Sequence, residues 1–377
     1  MSKETSFVAG LEDVVASLSE ICFLDGREGR LLYRGYDIHD LVNGGASFEE
    51  VVYLLWYGDL PNAAQLAEFN RSIATQRSLH PSVLAFLKEV PKDANAMAVL
   101  RTAVSYAALF DPDANDDTMD ANLRKAVRLV AQIPTIVTSY ERIRKGLQPV
   151  EPDESLSMAA SFFYLLNGEK PDTFTERAFN TALILHADHE LNASTFSARV
   201  TAGTLSDIYS AIVSAIGTLK GPLHGGANEQ VMKMLLEIGE IDRAEAWIDE
   251  ALAEKKKIMG FGHRVYRTED PRATHLRQLS KEAGERVGVT KWFEMSQVIE
   301  RVVKDRKGLN PNVDFYSASL YYSLGLPTHL YTPIFACSRI SGWTAHVLEQ
   351  YRNNRLIRPR AEYAGPTRRT FVPLAQR

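Results

Sequence analysis

The chain has 377 residues, 45% hydrophobic and 24% charged, which is the balance of a soluble globular protein of roughly two to three domains. That composition excludes a disordered chain, a collagen-like repeat and a disulfide framework, and no stretch approaches the ~20 apolar residues of a membrane span. Lys plus Arg (43) against Asp plus Glu (47) leaves a net charge of −4, which argues against nucleic acid as a partner.

Met1-Ser2-Lys3-Glu4-Thr5 shows no basic segment followed by an apolar one, so a cytoplasmic protein is expected. Cys22 and Cys337 lie far apart in no metal-ligand spacing; two thiols in this length fit a reducing compartment, although they could pair. Ile21–Leu24 and Leu31–Tyr33 flank Asp25-Gly26-Arg27-Glu28-Gly29, which reads as a small hairpin with a Gly-rich turn.

Beyond it the pattern is helical. Ser47 and Glu50 form a capping box ahead of Phe48, Val51, Val52 and Leu55, one face of a helix. Pro61, Pro81 and Pro91 cut the following stretch into short helices. Phe179, Ala182 and Leu185 line a helix that closes at His186, and Ile208, Ile212, Ala215, Ile216 and Leu219 line another, stopped by Gly221-Pro222. Further stripes run through Val231, Met234, Leu235 and Ile238, through Met295, Ile299, Val302 and Val303, and through Ile340, Trp343, Val347 and Tyr351. No alternation of strands with helices and no repeat of 20–50 residues occurs. The expectation is an all-α chain with at least two helical lobes and one β-hairpin.

Four segments hold side chains suited to chemistry. In His186-Ala187-Asp188-His189-Glu190 the two histidines sit three apart, as on one helical face; a metal site, a packed His–Glu pair and a substrate-binding histidine all remain open. Gly221–Asn228 holds His224 in a tight interhelical turn, where the glycines serve either close approach or turn geometry alone. Lys255, Lys256, Lys257, Arg264 and Arg267 surround Gly260-Phe261-Gly262-His263, a set suited to a phosphate-rich ligand or simply a solvated charge run. After it Asp270 reads as an N-cap and Pro271 as the first helical residue, placing Arg272 in a first turn that favours anions. Asp314, where loop passes into the apolar stretch Phe315–Leu324, is either a helix cap or a catalytic carboxylate. No nucleophile elbow, Walker loop or Cys-x-x-Cys appears. What remains is histidine and carboxylate, the side chains of proton transfer, with arginines at 272, 339 and 358 whose planar forks suit a small polycarboxylate.

Taken in order, GPLHGGAN (221–228), GFGHRVYR (260–267) with DPR (270–272), NVDFYSA (312–318) and FACSRISG (335–342) resemble the citrate synthase family in its short bacterial and archaeal form, without room for the extra N-terminal domain of the longer enzymes. The likeness runs from Gly10-Leu11-Glu12 to Asn354–Pro359. It implies an all-helical two-domain fold, with residues 1–220 and 325–377 forming a large domain and 221–324 a small domain carrying most of the chemistry. It implies condensation of acetyl-CoA with oxaloacetate to give citrate and CoA, or the 2-methylcitrate reaction with propionyl-CoA, without cofactor or metal. By the same likeness Asp314 is the base, His224 and His263 are the acids, and His189, Arg272, Arg339 and Arg358 bind the carboxylates. Lys257, Ile258, Met259, Gly260, Gly262, Arg267 and Lys307 fall on the CoA side. A homodimer with Arg358 donated across the interface is expected, and no membrane partner.

Overall fold

The computed structural model describes residues 7–377, so the reading made on Met1–Thr5 lies outside the described residues. Near the N-terminus β1 (Cys22–Asp25), β2 (Arg30–Tyr33) and β3 (Tyr36–Asp37) form an antiparallel sheet in that order, with Asp25 opposite Arg30 and Tyr33 opposite Tyr36. The predicted hairpin is therefore present with one strand more. The second turn has only Arg34 and Gly35 at its centre, both at positive φ, the geometry of a two-residue hairpin. Arg34 is an unusual occupant, held there because its guanidinium donates twice to the Leu55 carbonyl, at 3.0 and 3.2 Å.

All other regular structure is helical. The capping box forms as predicted: the Glu50 N–H donates to Ser47 Oγ at 3.2 Å and the Ser47 N–H to Glu50 Oε2 at 2.7 Å. Helix Tyr331–Arg352 is buried almost end to end, with Ile340, Trp343 and Val347 wholly enclosed. It packs on helices Phe48–Tyr57, Ala96–Ala107, Met119–Arg144, Thr173–His186, Ala193–Ala202 and Ile208–Leu219. A second group, Ala227–Ile238, Ala244–Ala253, Pro271–Arg286, Lys291–Lys307 and Val313–Ser323, packs mainly on itself. Apolar burial is continuous through both groups, and His189 meets Tyr266, and His224 meets Ser194, across the segments that join them. Both cysteines are free, and no helix among the described residues is long and apolar enough to cross a membrane.

Candidate functional site

Helix Thr173–His186 stops one turn earlier than the spacing of His186 and His189 requires, so the two histidines do not share a helical face. The His186 ring turns back to the Ala182 carbonyl at 2.7 Å. Asp188 and His189 step off the helix. Asp188 is fully buried and accepts from the His346 ring at 3.2 Å; His346 in turn meets Arg199 at 3.1 Å. Arginine can only donate, so His346 accepts on Nδ1 and presents its proton to Asp188 from Nε2. Beside it His189, also buried, lies 3.2 Å from the Tyr266 hydroxyl, with its ring centroid 5.1 Å from that of His263. Burial, reinforced by Arg272, holds His189 well below the ordinary histidine range.

His263 lies in the turn after Gly260-Phe261-Gly262. Gly260 has φ +83°, and a Cβ there would stand 2.8 Å from Phe315 and Val231 side chains, so only glycine lets the loop pass. The loop lies along residues 310–312, with bonds from the Gly262 N–H to the Asn310 carbonyl (3.0 Å) and from the Asn312 N–H to the Gly260 carbonyl (2.9 Å). Nδ1 of His263 accepts the backbone N–H groups of Val265 (3.0 Å) and Tyr266 (3.1 Å). An amide N–H cannot accept, so the proton resides on Nε2. Burial, then Arg272, lowers the His263 pKa to about 4, and the ring is a neutral donor at pH 7.

His224 is held in the opposite sense. Its Nε2 accepts the Ser194 backbone N–H at 3.3 Å and lies 2.7 Å from Ser194 Oγ, which receives the Trp343 indole N–H at 3.0 Å. The proton therefore resides on Nδ1. Burial, then Arg339, lowers the pKa to about 4.

Asp270 caps helix Pro271–Arg286 as expected, and does more. Its Oδ1 accepts the Arg272 N–H (3.1 Å) and Nε (2.9 Å); its Oδ2 accepts Arg272 Nη2 (2.7 Å) and the Val313 N–H (3.1 Å). Asp314, by contrast, is not the cap of its helix. That helix runs Val313–Ser323, and Asn312 caps it by accepting the Asp314 N–H at 3.0 Å. Asp314 thus sits in the first turn with no capping duty. Among the described residues nothing donates to its carboxylate, and Oδ1 is buried without a partner. Burial pushes its pKa up to about 7, against the opposing pull of Arg272.

Arg339 is buried, donates from Nε to the His186 carbonyl at 2.8 Å and lies over the Phe335 ring. Burial, helped by Arg272, lowers its pKa to about 10. A cavity of about 200 Å³ opens beside His263 and is lined by Tyr266, Arg267, Thr268 and the 308–311 turn. Lys257, Arg267 and Lys307 are exposed, Ile258 and Gly260 buried, Met259 and Gly262 intermediate. Arg358 is exposed on the C-terminal segment, with no ion pair to a described residue.

Several members were missed in the sequence. Ser194, two residues after the capping Asn192, orients His224; only its first-turn position could have hinted at this. Trp343 appeared only as part of a buried stripe, and Tyr266 only as a link in the cation run. The pairing of Asp270 with Arg272 needs the arginine side chain to fold back over two residues, which spacing does not reveal.

The family model described as citrate synthase, C-terminal domain, matches residues 10–360. The chain is 55% identical to citrate synthase 2 of Bacillus subtilis, covering 98% of each sequence. It is 42% identical to 2-methylcitrate synthase 1 of Corynebacterium glutamicum, again over 98% of each. The solved citrate synthase of Thermoplasma acidophilum, a ternary complex with carboxymethyl coenzyme A and oxaloacetate, superposes with a TM-score of 0.91 at 36% identity, covering 97% of this chain and 98% of that one.

Proposed function

The chain belongs to the citrate synthase family, and on that premise we propose that it condenses acetyl-CoA with oxaloacetate and water to give citrate and CoA. The observation that carries the reading is Asp314, a buried carboxylate without a donor and with its pKa raised to about 7, in a chain that also holds His224 and His263 neutral and in opposite tautomers. A methyl group next to a thioester carbonyl is a weak acid. Its removal by a carboxylate needs a donor at the carbonyl oxygen as charge develops. Nδ1–H of His224 is that donor. Asp314, freed of hydrogen bonds that would stabilise its anion, is the stronger base for it. Nε2–H of His263 polarises the ketone of oxaloacetate and protonates the alkoxide formed when the new carbon–carbon bond closes. Water then hydrolyses the thioester.

His189, Arg272 and Arg339 hold the carboxylates of oxaloacetate. Arg267 and Lys257 meet the phosphates of CoA, with Ile258, Met259, Gly260, Gly262 and Lys307 along the same side. Residues 221–324 act as the smaller lobe, which closes over bound oxaloacetate and excludes water before the thioester is activated. The reaction needs no cofactor, and the free thiols support a reducing, cytoplasmic setting.

Arg358 serves the site of the partner in a homodimer, its exposure in the single chain being the supporting observation. Chains carrying Arg358→Ala and chains carrying His224→Ala, each inactive alone, should regain activity when mixed, because one site of each mixed dimer takes both intact residues. No recovery after demonstrated subunit exchange would refute the shared site. Relatives named for both acyl substrates make propionyl-CoA the second reading. Thiol release from each acyl-CoA, with and without oxaloacetate, tests both. Oxaloacetate-dependent release faster with acetyl-CoA is expected; release that does not depend on oxaloacetate, or no release from either acyl-CoA, would sink the assignment.

A further inference from the structure

The N-terminal sheet takes no part in the chemistry above, yet the β1–β2 turn lies directly on the turn that holds His263. The Gly26 carbonyl accepts the Arg267 N–H at 2.7 Å. A Cβ on Gly26 would stand 2.1 Å from the Val265 carbonyl oxygen and 2.8 Å from its carbon. One on Gly29 would stand 2.8 Å from Thr268 Cγ2 and 3.2 Å from the Glu269 carbonyl oxygen. The sheet is fixed at its other end too: the fully buried Tyr33 hydroxyl lies 3.0 Å from the Ile184 carbonyl and 3.1 Å from that of Asp188, at the helix end that leads into His189. The sheet thus spans from the His189 segment to the His263 turn.

We propose that the tip of this hairpin is a positioning element for the reaction, Gly26 and Gly29 seating it against residues 265–269 so that the N–H groups of Val265 and Tyr266 hold the His263 ring. The proposal rests on the role given to His263 above. The argument is steric. What Gly26 meets is backbone, which no rotamer change can move aside, so a methyl group there forces the hairpin or the turn to shift. The peptide unit that Gly26 meets carries the Tyr266 N–H, and the one before it the Val265 N–H, the two amides that keep the His263 proton on Nε2. Displacing them frees the ring to take the other tautomer and to rotate. The sheet is anchored through Tyr33 on the far side, so the turn is the part that yields.

The test compares Gly26→Ala, Gly29→Asn and Gly35→Ala by steady-state kinetics and by the ¹⁵N imidazole signals of His263, assigned with His263→Gln. Gly35 lies in the same sheet with nothing within 4 Å of an added Cβ, so its substitution strains the sheet without touching the His263 turn. Gly26→Ala should lower kcat by roughly 10- to 100-fold beyond Gly35→Ala, the scale of an ångström's misplacement. Its His263 signals should leave the Nε2–H pattern for a mixture. Asparagine tolerates the positive φ of Gly29, so Gly29→Asn probes the contact alone; its smaller loss should be relieved in a Thr268→Ser background, where the clashing methyl is gone. Wild-type kcat and an unchanged tautomer pattern in Gly26→Ala, or in Gly29→Asn where the first chain does not fold, would overturn the proposal. A fully active His263→Gln would instead remove the role of His263, and the tautomer pattern alone would then decide whether the tip holds the ring.

Discussion

The helix starts at Asp270 and Asp314 make a natural experiment in what burial does to a carboxylate. Both side chains are buried, both stand at the N-terminal turns of helices that pack on one another, and both feel Arg272. Asp270 fills its oxygens with four donors, and although burial opposes ionisation, Arg272 beside it holds the pKa below the usual carboxylate value. Asp314 has no donor and is driven up to about 7. Burial alone therefore does not set the outcome; the count of donors does. Asn312 makes the difference possible, since by capping the helix it leaves the next carboxylate free to be a base.

The sharpest way to break this comparison is Asp314→Asn. Turnover should fall by about 10³-fold or more, within the range of general-base contributions, while the fold survives because the cap is Asn312. Turnover above a tenth of wild type in a purified, contamination-checked sample would erase the distinction. The counterpart is Asp270→Asn, which leaves Arg272 buried and unpaired. It should cost about 3–5 kcal/mol in denaturant unfolding. A loss under about 1 kcal/mol would show that Asp270 is no more structural than its neighbour.

A subtler effect lies in the pH dependence of stability. Asp314 binds its proton more tightly in the folded state, so its stabilisation is present below 3.8 and lost as pH rises through about 7. Asp270 does the reverse: its contribution is present above the ordinary 3.8 and lost as pH falls through its lower folded value. The stability of wild type relative to Asp314→Asn should thus decline with rising pH, and that relative to Asp270→Asn with falling pH. Parallel slopes in thermal melts across this range would contradict the assignment.

Much of this was legible in the sequence, and the limits have a physical cause. Helical periodicity, the capping box at Ser47 and the proline after Asp270 are local signals, and each structure formed where the pattern put it. The glycine-flanked histidines were visible because their turn chemistry is local too. What stayed hidden depends on contacts between distant segments. His224 is oriented by Ser194 and Trp343, and Asp188 by His346, across gaps that no spacing rule spans. Asp314 stayed open between cap and base because the sequence shows two candidates, Asn312 and Asp314, and not which side chain turns back on the helix.

Helix Tyr331–Arg352, packed on seven others, has a consequence for how the protein is made. It leaves the ribosome after every helix it packs on, yet it supplies the surface against which Phe48, Trp56 and the 119–144 helix bury their apolar faces. The pairing of Trp56 with Thr344 closes a loop of 288 residues. Until it emerges, the earlier helices therefore remain without their central partner, open to chaperones and proteases. A nonsense mutation just before Tyr331 would leave not a shortened enzyme but a nascent chain unable to mature.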